Sequence, residues 1–286
     1  MPCDICNDTT WKTIDIDGVS RVARCECWID KAARSRFAAA HIPTRYLHCT
    51  LDNFEAYNDS LKRAVKFART VVADFPVSST GRDRGFLLIG LPGVGKTHLA
   101  VAILKECIRK GGTGRFFTTV DLMAALRSTY SGQDGMTESE VIKEVSEADL
   151  VVLDELGRER ATEWRDEILH LVINQRYSNR RPTILTTNFD VADIDDPDAL
   201  QVRVGMRVYS RLCEMCELMH LDAADYRERP TNAGPDDLVS MWKMRKKPPL
   251  PSPKGSGRQA RAQIRNGERG DGKADLKWTG GRAGSQ

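Results

Sequence analysis

No apolar run among the 286 residues approaches the roughly 20 that a helix needs to cross a bilayer. That shortage excludes a helical membrane span. The opening Met1-Pro2-Cys3-Asp4 has neither the basic nor the apolar region of a secretory signal, so the expected location is the cytoplasm. Internal repeats are absent too, which removes solenoids and propellers. Acidic residues are scarce at one end: residues 243–286 carry 12 Lys+Arg against 3 Asp+Glu, while residues 1–242 carry 31 against 37. The net charge of +3 hides this asymmetry. Residues 243–286 also have few apolar side chains and many prolines and glycines, a composition that cannot offset its own ordering entropy. They are expected to form a disordered basic tail, read as solvated rather than as a nucleic-acid contact. In a cytoplasmic chain the eight cysteines are expected as ligands or buried thiols, not disulfides.

Against these shortages stands one dense motif. Gly90-Leu91-Pro92-Gly93-Val94-Gly95-Lys96-Thr97 fits G-x-x-x-x-G-K-[ST], follows the apolar residues 86–89 and leads through His98 into a helical stretch. Glycines at this spacing let backbone N–H groups turn inward on anionic phosphate at a helix N-terminus. Lys96 is placed to reach the β- and γ-phosphates of ATP and Thr97 to ligate Mg²⁺, with residues 90–98 as the nucleotide contact. The run of residues 149–155 puts four apolar residues before Asp154 and Glu155, the pattern of a strand buried on both faces whose acids emerge at the C-terminal edge of a parallel sheet. Asp154 is the expected second support for Mg²⁺, and Glu155 the group that polarises the attacking water. Asn188, in the cluster Thr186-Thr187-Asn188, is placed to bond the γ-phosphate or that water.

The rest of the pattern predicts helices over residues 60–75, 121–130, 137–148 and 162–179, strands over 85–89, 116–120 and 182–187, and polar loops over 78–84 and 131–135. Thr137-x-x-Glu140 reads as a capping box. Alternating strands and helices imply an α/β fold, a parallel sheet with helices on both faces. Three regions are expected: a zinc-binding module over 1–40, a nucleotide-binding domain over 41–242 and the tail over 243–286.

The module rests on Cys3-x2-Cys6 and Cys25-x-Cys27, separated by 18 residues that hold Trp11, the alternating Ile14 and Ile16, and the turn candidate Asp17-Gly18. Two cysteines on each of two turns supply four thiolates for tetrahedral Zn²⁺, and so small a segment needs the metal to fold. His41 and His48 are alternative ligands. Cys49 and Cys107 read as packing residues.

In their order and spacing, the phosphate loop, Val151-Val152-Leu153-Asp154-Glu155, Thr186-Thr187-Asn188 and Arg207-Val208-Tyr209-Ser210-Arg211-Leu212 resemble the AAA+ ATPases. Within these the chain resembles the DnaC/DnaI group of bacterial and phage replicative-helicase loaders. His41-Ile42-Pro43-x-Arg45-Tyr46-x-x-Cys49-Thr50-Leu51-x-Asn53-Phe54, Asp154-Glu155-Leu156-Gly157 and Asp225-Tyr226-Arg227 extend the likeness over residues 40–230. The resemblance implies that Asn188 is the sensor-1 residue, Arg211 the arginine finger with Arg207 as a second candidate, and Arg227 the sensor-2 arginine. A finger guanidinium neutralises charge on the transferring phosphoryl group, and in the family it serves a neighbouring copy's site, which implies self-association. The implied function is ATP-dependent loading of the replicative DNA helicase onto single-stranded DNA, with a zinc-bearing N-terminal module that contacts the helicase. The related IstB group of transposition ATPases is the alternative. A P-loop kinase is opposed by Glu155, Asn188 and the paired arginines. Cys213-x2-Cys216 with His220 has metal-like spacing, but it falls where the family passes from the finger helix into a strand over 217–221 and reads as core.

Overall fold

The computed structural model describes residues 3–7, 9–16, 19–75, 85–131, 137–159, 161–191, 196, 199–231 and 234–245. Residues 78–84, most of the loop expected over 131–135, the Asp17-Gly18 turn and residues 246–286 lie outside these. Trp11–Ile16 (β1) and Val19–Arg24 (β2) pair antiparallel, with Trp11 opposite Arg24 and Ile16 opposite Val19. Cys27–Ala39 (α1) leads to a strap over residues 44–57, which begins with a 3-10 turn at Thr44–Tyr46. Asp59–Asp74 (α2) starts where the Asn58 side chain accepts a hydrogen bond from Leu61 N at 2.9 Å, an ordinary N-cap.

Five strands then build one parallel sheet: Gly85–Ile89 (β3), Gly114–Thr118 (β4), Leu150–Asp154 (β5), Thr183–Thr187 (β6) and Cys216–His220 (β7). Their order is β4-β5-β6-β3-β7. The helices between them are Lys96–Arg109 (α3), Thr119–Ser131 (α4), Glu138–Glu147 (α5), Glu163–Ser178 (α6), Leu200–Val204 (α7) and Met206–Met215 (α8). Successive side chains of a strand face opposite sides. Phe86, Leu88, Val152 and Ile184 accordingly join one core with α2 and α3, while Leu87, Ile89, Val151, Leu153 and Leu185 join a second with α4, α5, α6 and α8. Both faces of the sheet are therefore covered, as the uninterrupted apolar runs require. Because β6 lies between β3 and β5, the end of β6 stands between the phosphate-loop strand and the strand that carries Asp154.

Two boundaries depart from the sequence reading. The strand expected over 116–120 runs two residues earlier, since the Thr118 hydroxyl accepts from Asp121 N at 3.0 Å and starts α4. A hydroxyl at that position competes with the strand ladder for backbone donors. At the other end, Pro235–Met244 (α9) continues past residue 242, and Arg245 Nη1 donates to Ala223 O at 2.6 Å. The chain stays folded through Arg245.

Candidate nucleotide site and cysteine centre

The loop after β3 turns on glycines with left-handed backbone. Gly93 has φ 76° and Gly95, which precedes α3, has φ 96°. A Cβ on Gly93 would lie 1.7 Å from Asp225 Oδ1, and one on Gly95 would lie 2.7 Å from the Phe54 ring, so both positions need glycine for close approach as well as for backbone geometry. Lys96 is buried, and its ammonium donates to Gly90 O at 2.7 Å and Leu91 O at 2.8 Å. Burial pushes its pKa down to about 8, against the opposing charge of Asp154. Thr97 Oγ1 donates to Asp154 at 2.9 and 3.1 Å, and Thr186 Oγ1 donates to the same carboxylate at 2.5 Å. Asp154 is only 4% exposed, and burial raises its pKa. A hydroxyl and a carboxylate side by side form the hard oxygen set that suits Mg²⁺.

Glu155 follows with φ 60° and forms an ion pair with Arg158. Together with the phosphate loop, Thr186, Asn188 and Arg227, these two residues line a cavity of about 650 Å³. Five of the expected site elements thus meet in one place: loop, Asp154 beneath it, Glu155, Asn188 and Arg227. Arg211 is not among the lining residues. It sits on α8, where Nη1 donates to Arg207 O at 3.1 Å and the guanidinium lies 5.8 Å from the Tyr177 ring centre. Arg207 on the same helix is exposed.

The opposite wall of the cavity comes from the strap, including Tyr46, Phe54, Glu55 and Tyr57. Two side chains of the loop helix hold it down. Lys105 Nζ donates to Cys49 O at 2.8 Å and also to Leu47 O. His98 Nε2 stands 3.0 Å from both Thr50 O and Asn53 Oδ1. Asn53 Oδ1 also accepts from Thr50 N at 2.8 Å, which identifies it as the amide oxygen and makes the imidazole nitrogen the donor. His98 was expected to contact nucleotide; it does line the cavity, but its ring nitrogen is engaged by the strap, and burial lowers its pKa so that the ring stays neutral.

Cys3, Cys6, Cys25 and Cys27 converge at the open end of the β1–β2 hairpin, their sulfurs all within 4.8 Å of one another. Cys3 and Cys25 sulfurs are 3.7 Å apart, and Cys6 and Cys27 sulfurs 3.2 Å. A tetrahedral site with Zn–S bonds of about 2.3 Å separates its sulfurs by about 3.8 Å, so the four thiols fit that ion. His41 and His48 lie elsewhere: His41 faces Glu144 at 3.8 Å, and His48 packs edge-on against His98. Cys216 is buried in the core with its thiol 3.6 Å from Thr183 O, whereas Cys213 is exposed on α8 rather than in the core. Cys49 and Cys107 are both buried.

Residues 32–233 match the family model described as IstB-like ATP binding protein. The chain belongs to that family. The chain is similar to the replicative helicase loader DnaC of Escherichia coli strain K12, 28% identical over 158 residues, which is 55% of this chain and 62% of that protein. DnaC of Buchnera aphidicola subsp. Acyrthosiphon pisum (strain APS) is 29% identical over 145 residues, 51% of this chain and 57% of that protein. The matches span less than two thirds of the length of these curated relatives. A crystal structure of the DnaC helicase loader is 36% identical and superposes with a TM-score of 0.54, covering 63% of this chain and 99% of that one. AMPPCP-bound DnaA from Aquifex aeolicus, at 20% identity and a TM-score of 0.52 over 65% of this chain and 53% of that one, shares the AAA+ fold.

Sequence reasoning placed the loop and both acids but missed the strap, Tyr226 and Arg158 as cavity walls. The signal available was the density of aromatic and polar residues over 45–57, between two helices and without either period. Thr186 was visible only as a neighbour of Asn188, because its bond to Asp154 depends on strand order.

Proposed function

We propose that this IstB-like chain is an ATP-hydrolysing loader that places a replicative DNA helicase on single-stranded DNA in the cytoplasm, with ATP binding and hydrolysis as its assembly switch. The observation that carries this reading is the joining of the phosphate loop and Glu155 in one cavity, with Asp154 bonded to Thr97 beneath it, in a chain 36% identical to a DnaC helicase loader along nearly the whole of that structure.

ATP is the substrate. Lys96 neutralises its β- and γ-phosphates, and Thr97 and Asp154 hold Mg²⁺, which supplies charge neutralisation on the phosphates when bound. Glu155 accepts a proton from water as the water oxygen bonds to the γ-phosphorus and the bond to ADP breaks; Asn188 orients that water. Arg227 stabilises phosphate charge from within the same chain, and its exposed guanidinium is close enough to act on Lys96. Arg211, outside its own chain's cavity, acts on the site of a neighbouring copy. Cys3, Cys6, Cys25 and Cys27 hold Zn²⁺, which fixes the N-terminal module that docks the helicase.

Loading of the cognate helicase onto closed, protein-coated single-stranded DNA is the deciding assay, run with wild type, Glu155→Gln and Arg211→Ala. Wild type should load; Glu155→Gln should bind ATP but lose about 10²-fold or more in turnover. The family description favours one second reading, an IstB-like helper of transposition. Failure to bind or load the helicase, together with stimulation of strand transfer by a transposase, would replace the loader with that helper.

A further inference from the structure

Glu155 is held at its backbone on every side. Its N–H donates to Thr186 Oγ1 at 3.0 Å, and its carbonyl accepts from Thr119 Oγ1 at 3.0 Å and from Arg158 N at 3.2 Å. The next residue is pinned as well, with Leu156 N donating to Thr186 O at 2.8 Å, and Arg203 Nη1 reaches Gly157 O at 3.1 Å. A non-glycine residue at φ 60° persists only where its surroundings over-determine it, and here they do. The backbone of this turn is therefore fixed, and the Glu155 side chain is the part left to move.

That side chain has a partner within the same turn. Its Oε2 is engaged by Arg158 Nη1, three residues along the same turn. The pair takes one carboxylate oxygen out of play and sets the orientation of the other. Both residues line the cavity, and Arg158 is 64% exposed. An exposed ion pair of this kind is weak and opens readily. The weakness matters, because a strong buried pair would abolish proton acceptance instead of throttling it.

We propose that Arg158 is a positioning residue that restrains Glu155 and sets the basal rate of hydrolysis, low while the pair is closed and higher as it opens. The inference rests on the hydrolytic reading above.

The test uses the full-length protein with Mg²⁺ and ATP, comparing kcat and KM for wild type, Arg158→Ala, Arg158→Gln, Arg158→Lys, Glu155→Gln and the Glu155→Gln/Arg158→Ala double variant. Arg158→Ala and Arg158→Gln should raise kcat about two- to five-fold, the range an exposed pair can hold back, with a smaller change in KM. Arg158→Lys should stay close to wild type, and the double variant should be as slow as Glu155→Gln, showing that the gain passes through Glu155. A kcat at or below wild type in both charge-removing variants overturns the restraint, and a raised KM in the same variants reassigns Arg158 to phosphate binding. Should wild type and every Arg158 variant bind a fluorescent ATP analogue and hydrolyse nothing, the hydrolytic reading falls together with the restraint. If wild type hydrolyses and the variants are no faster, only the restraint falls.

Discussion

Every residue of β3, β5 and β6 is buried, whereas five of the six residues of β2 are exposed. The first group stands between two covered faces and needs nothing beyond burial, at about 1.5–3 kcal/mol for each large apolar side chain. The hairpin cannot follow that route: Trp11, Val19 and Val22 are all exposed, and a lone two-stranded hairpin is at best marginal in water. On the zinc reading its order comes from the four thiols at its open end. One chain therefore joins a unit held by apolar area to a unit held by ligand chemistry, and each should fail under a different insult.

Chelation is the strongest way to separate them. Zinc bound to a small thiolate site supplies about 10–16 kcal/mol, which exceeds anything the hairpin's own side chains can offer. Removing the metal, or replacing Cys25 with Ser, should unfold residues 3–25 and abolish helicase docking. ATP binding and the thermal midpoint of the sheet should remain. Proteolysis confined to the N-terminal segment, read alongside nucleotide affinity, checks this; loss of ATP binding on chelation would show that the two units are one.

The reverse insult is Arg176→Met. Arg176 on α6 is fully buried and donates to Val145 O, Ala148 O, Pro182 O and Thr183 Oγ1 at 2.6–2.9 Å. Burial pushes its pKa down to about 9. It ties the end of α5 to the start of β6 and β5, and removing it strands several carbonyls with no partner. A loss of about 3–5 kcal/mol in core stability is expected, with zinc content unchanged. Urea unfolding followed by near-ultraviolet absorption and metal analysis would measure both; an effect under 1 kcal/mol would mean that solvent replaces the guanidinium.

A smaller effect lies within the nucleotide site. ATP, a polyanion, requires the charged form of Lys96, whose pKa burial has brought down to about 8. Below that pH the ammonium is present and affinity is at its full value. Above it, affinity should fall by up to about ten-fold per pH unit until the higher pKa of the complex is reached. Lys96→Ala should lose about 1.5–3 kcal/mol of binding and this slope with it. Zinc retention should follow a different curve, because other groups govern it. A flat affinity profile between pH 7 and 9.5 in the wild-type protein would contradict the buried-lysine account.

The contrast between the two units also explains what could be read in advance. Apolar runs such as Leu150-Val151-Val152-Leu153 announce a strand buried on both faces, and a phosphate loop announces itself through glycine spacing, so the sheet and half the cavity were legible. Four cysteines announced the ligand cluster. The strap was not legible, since its order comes from Lys105 and His98 on α3, contacts more than 40 residues away in sequence that no local period records. Arg158 escaped for a different reason: an arginine in a polar turn looks solvated until the strained Glu155 beside it is seen.

Arg24 tests the hairpin's own resources. Its guanidinium lies 3.9 Å from the Trp11 ring centre and 5.2 Å from that of Trp28, a stack across the β1–β2 pair onto the start of α1. Trp11 is 46% exposed and Trp28 41%, so the stack stands in water, where such contacts contribute about 0.5–1 kcal/mol. On the zinc reading folding of this module is coupled to its metal, so that contribution should appear as zinc affinity: Arg24→Ala should weaken zinc binding about two- to five-fold, while Arg24→Lys should lose less. Neither change should alter ATP affinity. Competition with a chromophoric chelator reads the difference directly. A loss of a hundred-fold or more would mean that the stack organises the thiolates before the metal arrives, and the hairpin would then rest on side-chain packing as well as on ligand chemistry.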